Sequence, residues 1–229
     1  MREQDTSVGA GQSAFGQTQW SRILRSPGDP ALIADLAASY WRPVYKFLRI
    51  ARGKSNDDAK DLTQDFFATV VRPDWLSRAD PARGSFRTFL LASLKNFVRD
   101  ADKHRGALKR GGHAPIVPID GLEDDPPAPD DPERAFLKSW AETLLADALR
   151  ELERTCRPQV FRAFRGYCID TEPDRPPSYA QVAAGIGASV SEVTNWIAEA
   201  RRELRRILAI KAGGYSFDPE EELRELFGR

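Results

Sequence analysis

Lys95, Arg99 and Lys103 recur every fourth residue. On a helix that spacing sets three cations in one row, with the amide of Asn96 beside them. Such a row can neutralise successive phosphates, and the neighbouring amide can both donate to and accept from the edge of an unstacked base. Arg105, Lys109 and Arg110 prolong the row. The same spacing also describes an ordinary solvated helix face, so on its own the row leaves both readings open.

A second constellation lies near the C-terminal end. Ser178 with Gln181, and Ser189 with Glu192, each have the spacing of a capping box, and Gly187 stands between them where a tight turn needs a residue free of Cβ. This predicts a helix–turn–helix with a small core of Val182, Ala183, Ile186, Val193 and Ile197. On the second helix Val193, Ile197, Ala200 and Leu204 point inward, while Ser191, Thr194, Asn195, Ala198, Arg202 and Arg205 point outward. The early outward residues suit base edges and the later arginines suit phosphates. The bland alternative is a helical hairpin with a charged surface.

Composition narrows the field. The chain has 229 residues, 41% hydrophobic and 30% charged, with a formal net charge of zero. That is ordinary for a chain with real cores. Apolar runs are only a few residues long, and Arg2, Glu3 and Asp5 open a terminus without an apolar stretch. Neither a membrane span nor a secretory signal is expected, which predicts a cytoplasmic protein without membrane attachment. Cys156 and Cys168 are the only cysteines and His104 and His113 the only histidines. No metal site or cofactor is expected from so few and so scattered ligands, and the cysteines read as small apolar fillers. Charge is unevenly spread: from Arg72 to Arg110 there are ten Arg/Lys against four Asp/Glu, whereas residues 111–133 hold seven acidic residues and no Arg or Lys.

The elements that would position these groups are all helical, so the expected fold class is all-α, with two small helical modules and a linker. Residues 1–18, rich in Gly, Gln, Ser and Thr, read as a disordered arm. The first module spans 19–110. Asp29-Pro30 starts a helix carrying Leu32, Ile33, Leu36 and Tyr40, which Pro43 is expected to break and restart through Val44, Phe47 and Leu48. A helix from about Asp57 to Val71 has Ala59, Leu62, Phe66 and Val70 on one face and Asp58, Asp61 and Asp65 on another. Ser85 caps the basic helix, whose buried face is Phe86, Leu90, Leu94, Phe97 and Ala101. Residues 111–133, with six prolines, read as an acidic, semi-extended linker able to reach about 70 Å at roughly 3.1 Å per residue. The second module spans 134–210. It opens on Leu137, Trp140, Leu144, Ala148 and Leu152, followed by a helix from Pro158 with Val160, Phe161 and Phe164 inward. The tail 211–229 carries a short helix from Asp218-Pro219 that presents Leu223, Leu226 and Phe227.

The run DDAKDLTQDFF at 57–67, followed by FRTFL and LKNFVRD within 86–100, resembles conserved region 2 of bacterial sigma factors. Residues 178–208 resemble region 4. With only these two regions and a short linker, the arrangement is similar to the extracytoplasmic-function group of the sigma-70 family. The resemblance covers about residues 25–210 and implies a specificity subunit that is not an enzyme. It implies docking on core RNA polymerase, through the β′ clamp helices, by Asp61, Leu62, Gln64 and Asp65, with the β subunit as a further contact. It implies capture of the promoter −10 element by Arg87, Lys95, Asn96, Arg99 and Lys103. The helix–turn–helix would read the −35 element with Ser191, Thr194, Asn195, Ala198, Arg202 and Arg205. An anti-sigma factor or a Ser/Thr kinase would be the regulatory partner.

Two departures qualify the resemblance. Lys60 stands where the family usually has an acidic residue, and Thr194, Trp196 and Glu199 stand where many members carry basic ones. A phosphate on Thr63 would add about −1.5 to −2 charge and offset Lys60. A subset of the family is thought to be switched on in this way. Thr63 also sits at the edge of the apolar face, where its methyl could simply pack. Two other readings compete: a stand-alone helix–turn–helix regulator with a helical dimerisation domain, and a signalling adaptor with no DNA role.

Overall fold

The computed structural model describes residues 29–53, 55–70, 72–80, 83–105, 131–171, 175–214, 216 and 218–228, with the backbone alone at 73 and 101–105. The expected N-terminal arm and the linker up to residue 130 lie outside the described residues. So do the side chains of Ala101, Lys103 and Arg105, as well as Lys109 and Arg110. Every element described is a helix, and no strand forms among the described residues. None of these helices is long and apolar enough to cross a membrane.

α1 (Pro30–Arg52) starts where Asp29 accepts the Ala31 N–H, with Pro30 in the first turn. It does not break at Pro43. The helix runs unbroken for 23 residues. Proline within a helix costs about 3 kcal/mol. Here Tyr40, Trp41, Val44, Phe47 and Leu48, on both sides of it, are all buried in one core. Burial of several large side chains at about 1.5–3 kcal/mol each outweighs one lost hydrogen bond. α2 (Asn56–Val70) begins after Ser55, whose hydroxyl accepts the Asp58 N–H at 3.2 Å. The Tyr45 hydroxyl donates to Asn56 at 2.6 Å and accepts from Arg49 at 3.1 Å, which ties the start of α2 to α1. A single turn, α3 (Pro73–Leu76), leads to α4 (Phe86–Arg105), where Ser85 caps the Thr88 N–H as expected.

Together α1, α2 and α4 enclose an aromatic core. Trp41 stacks on Phe67 with centroids 5.6 Å apart, and Phe66 meets Phe97 edge-on at 5.5 Å. Arg52 donates to the Val98 carbonyl at 2.8 Å and so fixes the end of α1 against α4.

α5 (Pro132–Thr155) packs against both halves of the chain. Asp131 caps it by accepting the Glu133 N–H at 3.1 Å, so helix begins at Pro132, within the last residues expected to be linker. Phe136 and Trp140 are buried in the first core, where Trp140 stacks on Tyr40 at 4.3 Å and 9°. Further along, Ala148 and Leu152 are buried in a second core with Val160, Phe164, Ala200 and Ile207. One helix therefore serves both cores. The physical reason is length: at 1.5 Å per residue a 24-residue helix spans about 36 Å, enough to lie against both.

α6 (Pro158–Cys168), α7 (Tyr179–Ile186) and α8 (Val190–Gly213) complete the second half. α8 is a single helix of 24 residues. α9 (Pro219–Phe227) folds back from its end; Asp218 caps it by accepting the Glu221 N–H at 2.9 Å. Gly213 permits this return, since a Cβ there would stand 3.1 Å from Pro219.

Candidate nucleic-acid interface

The helix–turn–helix forms from purely local chemistry. Ser178 accepts the Gln181 N–H at 3.2 Å, while the Gln181 side chain accepts the Ser178 N–H at 2.7 Å. The second box repeats the exchange: Ser189 accepts the Glu192 N–H at 3.3 Å and Glu192 accepts the Ser189 N–H at 2.9 Å. Hydrogen bonds from the Ser189 side chain, then from its backbone, hold the Glu192 carboxyl below the usual carboxylate range. A carboxylate depressed on folding stabilises above its unfolded pKa, so this cap weakens as pH falls through that range. Gly187 ends α7 with φ 69°, a left-handed conformation. A side chain there would meet no neighbour, so the requirement is purely conformational. We expect Gly187→Ala to cost about 1–2 kcal/mol in urea unfolding, without changing the helical circular dichroism.

Val182, Ala183, Val193 and Ile197 are buried as expected, joined by Ala163 of α6, with Ile186 half-buried at the rim. α6 thus braces the motif. Tyr167 stacks on Tyr179 at 4.6 Å, and the Arg201 guanidinium lies 5.6 Å from the centre of the Tyr167 ring. Leu204, expected inward, is half-buried against the second core.

The outward set is exposed in full: Ser191, Thr194, Asn195, Ala198, Arg202 and Arg205. The Thr194 hydroxyl donates to the Val190 carbonyl at 2.8 Å, which leaves its lone pairs and methyl for a ligand. None of the ion pairs among the described residues takes Arg202 or Arg205. Arg206, by contrast, is held by Glu203 at 2.5 Å and Arg157 by Glu199 at 2.6 Å. Val190, 48% exposed at the start of α8, escaped sequence reasoning because it reads as core. An apolar side chain at that position suits contact with a thymine methyl.

The basic helix α4 is different. Asn96 and Arg99 are exposed, but two of the expected contacts are engaged within the chain. Lys95 pairs with Glu133 of α5 at 2.5 Å. Arg87, expected at a nucleic-acid surface, is buried: its side chain is 6% exposed. Its Nε donates to Glu222 Oε1 at 2.6 Å and its Nη2 to Glu222 Oε2 at 3.1 Å, a bidentate pair, and Nη2 also donates to Glu225. Burial disfavours the guanidinium charge, but hydrogen bonds and attraction from the two carboxylates more than restore it. In the structure Arg87 is therefore turned away from solvent toward α9, which supplies the anion. Glu133, Glu222 and Glu225, the partners of these cations, are groups that sequence reasoning missed. The only signal was the acidic density of 220–225, which names no partner.

On α2, Asp61 and Asp65 are exposed while Leu62 and Gln64 are half-buried, and Leu62 lies against the first core. Asp61, Gln64 and Asp65 form one polar strip along the helix, with Leu62 turned toward the core beside it. Thr63 does not join them. It is fully buried, and its hydroxyl donates to the Ala59 carbonyl at 2.7 Å. Of the two readings of Thr63 the structure takes packing: a phosphate has neither room nor access there. No model of a known protein family matches this chain, and no curated protein matches it.

Proposed function

We propose that this chain is a sigma factor of the extracytoplasmic-function type, which binds core RNA polymerase, recognises promoter −10 and −35 elements and promotes melting. One observation carries the reading: a doubly capped helix–turn–helix whose outer face combines Asn195 and Thr194 with the free cations Arg202 and Arg205. That face has the order of groups needed to read base edges and then grip phosphates. The two-module division belongs to the same proposal. α4 would take the non-template strand through Asn96 and Arg99, and Lys95 and Lys103 would join them. Unstacking a base costs a few kcal/mol, and stacking on aromatic groups returns about 1–3 kcal/mol per base. The exposed strip of Asp61 and Asp65 on α2 would dock on the polymerase.

The test is assembly with purified core RNA polymerase followed by run-off transcription on genomic fragments. We expect Asp61→Arg to abolish co-migration with core enzyme while leaving the circular dichroism unchanged. Arg202→Ala should weaken duplex binding on every sequence and reduce the salt slope by about one. Normal assembly of the Asp61→Arg variant would refute the docking assignment. Duplex binding without any affinity for polymerase would identify a stand-alone regulator instead.

A further inference from the structure

The C-terminal helix α9 reaches across the molecule to the basic helix α4. Its first turn carries Glu220, Glu221 and Glu222, and Glu225 follows one turn later. Two of these carboxylates converge on Arg87, and Leu226 of the same helix packs against the first core. About two turns further along α4, Glu133 holds Lys95. Acidic groups from later in the chain thus occupy two cations of a surface otherwise suited to phosphates.

A nine-residue helix is marginal in water by itself, so docking is what holds α9 together. The docking energy is modest. A buried ion pair recovers little beyond the cost of desolvating both ions, and Leu226 is only half-buried. Undocking returns Arg87 and Glu222 to water together, so neither charge is left buried and alone. A helix held by paired charges and one apolar anchor is suited to leave when a stronger polyanion arrives.

We propose that α9 is an autoinhibitory nucleic-acid mimic: it occupies Arg87 of α4, and single-stranded DNA must displace it to engage that cation. This rests on the reading of α4 as a DNA-binding surface, and it adds the regulation of that surface. Glu222 and Glu225 stand where backbone phosphates would stand, with the bidentate geometry that guanidinium offers to either anion. The closed state would limit binding by free protein, while a partner that draws α9 away would release it.

The experiment uses the full chain and a fluorescein-labelled dT20 oligonucleotide, followed by anisotropy from low to moderate salt. Two variants open the tail by different routes: Glu222→Gln with Glu225→Gln removes the anions, and Leu226→Ser removes the apolar anchor without leaving a buried charge. Both are expected to bind dT20 at least tenfold more tightly than wild type. Their salt dependence should steepen by about 0.7, the share of one additional phosphate contact on a single strand. Adding Arg87→Gln to either variant should return the affinity to the wild-type value. Folded variants that bind no more tightly than wild type, with wild-type binding itself measurable, overturn the inhibitory role alone. No binding of dT20 by any variant, or binding that Asn96→Ala and Arg99→Ala leave unchanged, overturns the reading of α4 and the inhibition with it.

Discussion

Replacing Trp140 with alanine is expected to lower stability by about 3–5 kcal/mol, the range for removing a large aromatic side chain from a core. Its ring is 2% exposed and stacks on Tyr40, which in turn meets Phe86 edge-on at 5.6 Å. Three helices, α1, α4 and α5, therefore meet at one aromatic column. A domain of this size has about 5–15 kcal/mol of stability in all, so the loss is a large fraction. The location of the damage is as informative as its size. Hydrogen exchange should show α1 and the first half of α5 losing protection together, while α7 and the start of α8 keep theirs. Loss confined to α6–α8 would mean that α5 belongs to the second core only. Trp140→Phe retains a stacked ring and should recover most of the loss.

The second large effect is at Thr63. Thr63→Glu is expected to destabilise by about 4 kcal/mol or more, because it forces an ionisable group into a site with no exposed surface. Thr63→Val, by contrast, exchanges a hydroxyl bonded to its own helix for a methyl of similar volume and should stay within about 1 kcal/mol of wild type. Urea unfolding followed by circular dichroism separates the two. A Thr63→Glu protein as stable as wild type would show that the residue is not part of the core. The contrast also bears on phosphorylation. If a kinase modified Thr63, it would have to act on an opened form of α2, and the product would not refold as described here.

Much of the second half was legible because its determinants are local. Both capping boxes bridge three residues, and the left-handed turn falls on Gly187 between them. The inward and outward faces of α8 follow from helical period alone, and they hold for all six outward residues. The start of α9 at Asp218-Pro219 was equally plain. In the first half, the buried faces of α1, α2 and α4 could be read from periodicity, as could the cap at Ser85.

Other features belong to tertiary structure. Pro43 carries a local penalty that predicts a break, and only the core around Tyr40 and Phe47 shows that packing overrides it. The edge position of Thr63 was ambiguous on a helical wheel, since whether an edge is covered depends on what lies against it. α5 looked like the opening of a second module because amphipathic periodicity records that a face is buried, without naming the helix that buries it. Arg87 is the clearest case. Its partner Glu222 lies 135 residues away, and the chain offers 34 acidic residues as candidates. Charge complementarity is not specific at the level of residue type, so a salt bridge between distant segments cannot be read from composition or spacing. Helices, caps and faces are set by neighbours within about one turn, and the amino-acid order determines them. Which faces meet, and therefore which cations remain free for a ligand, is decided by where the folded backbone brings the acidic groups.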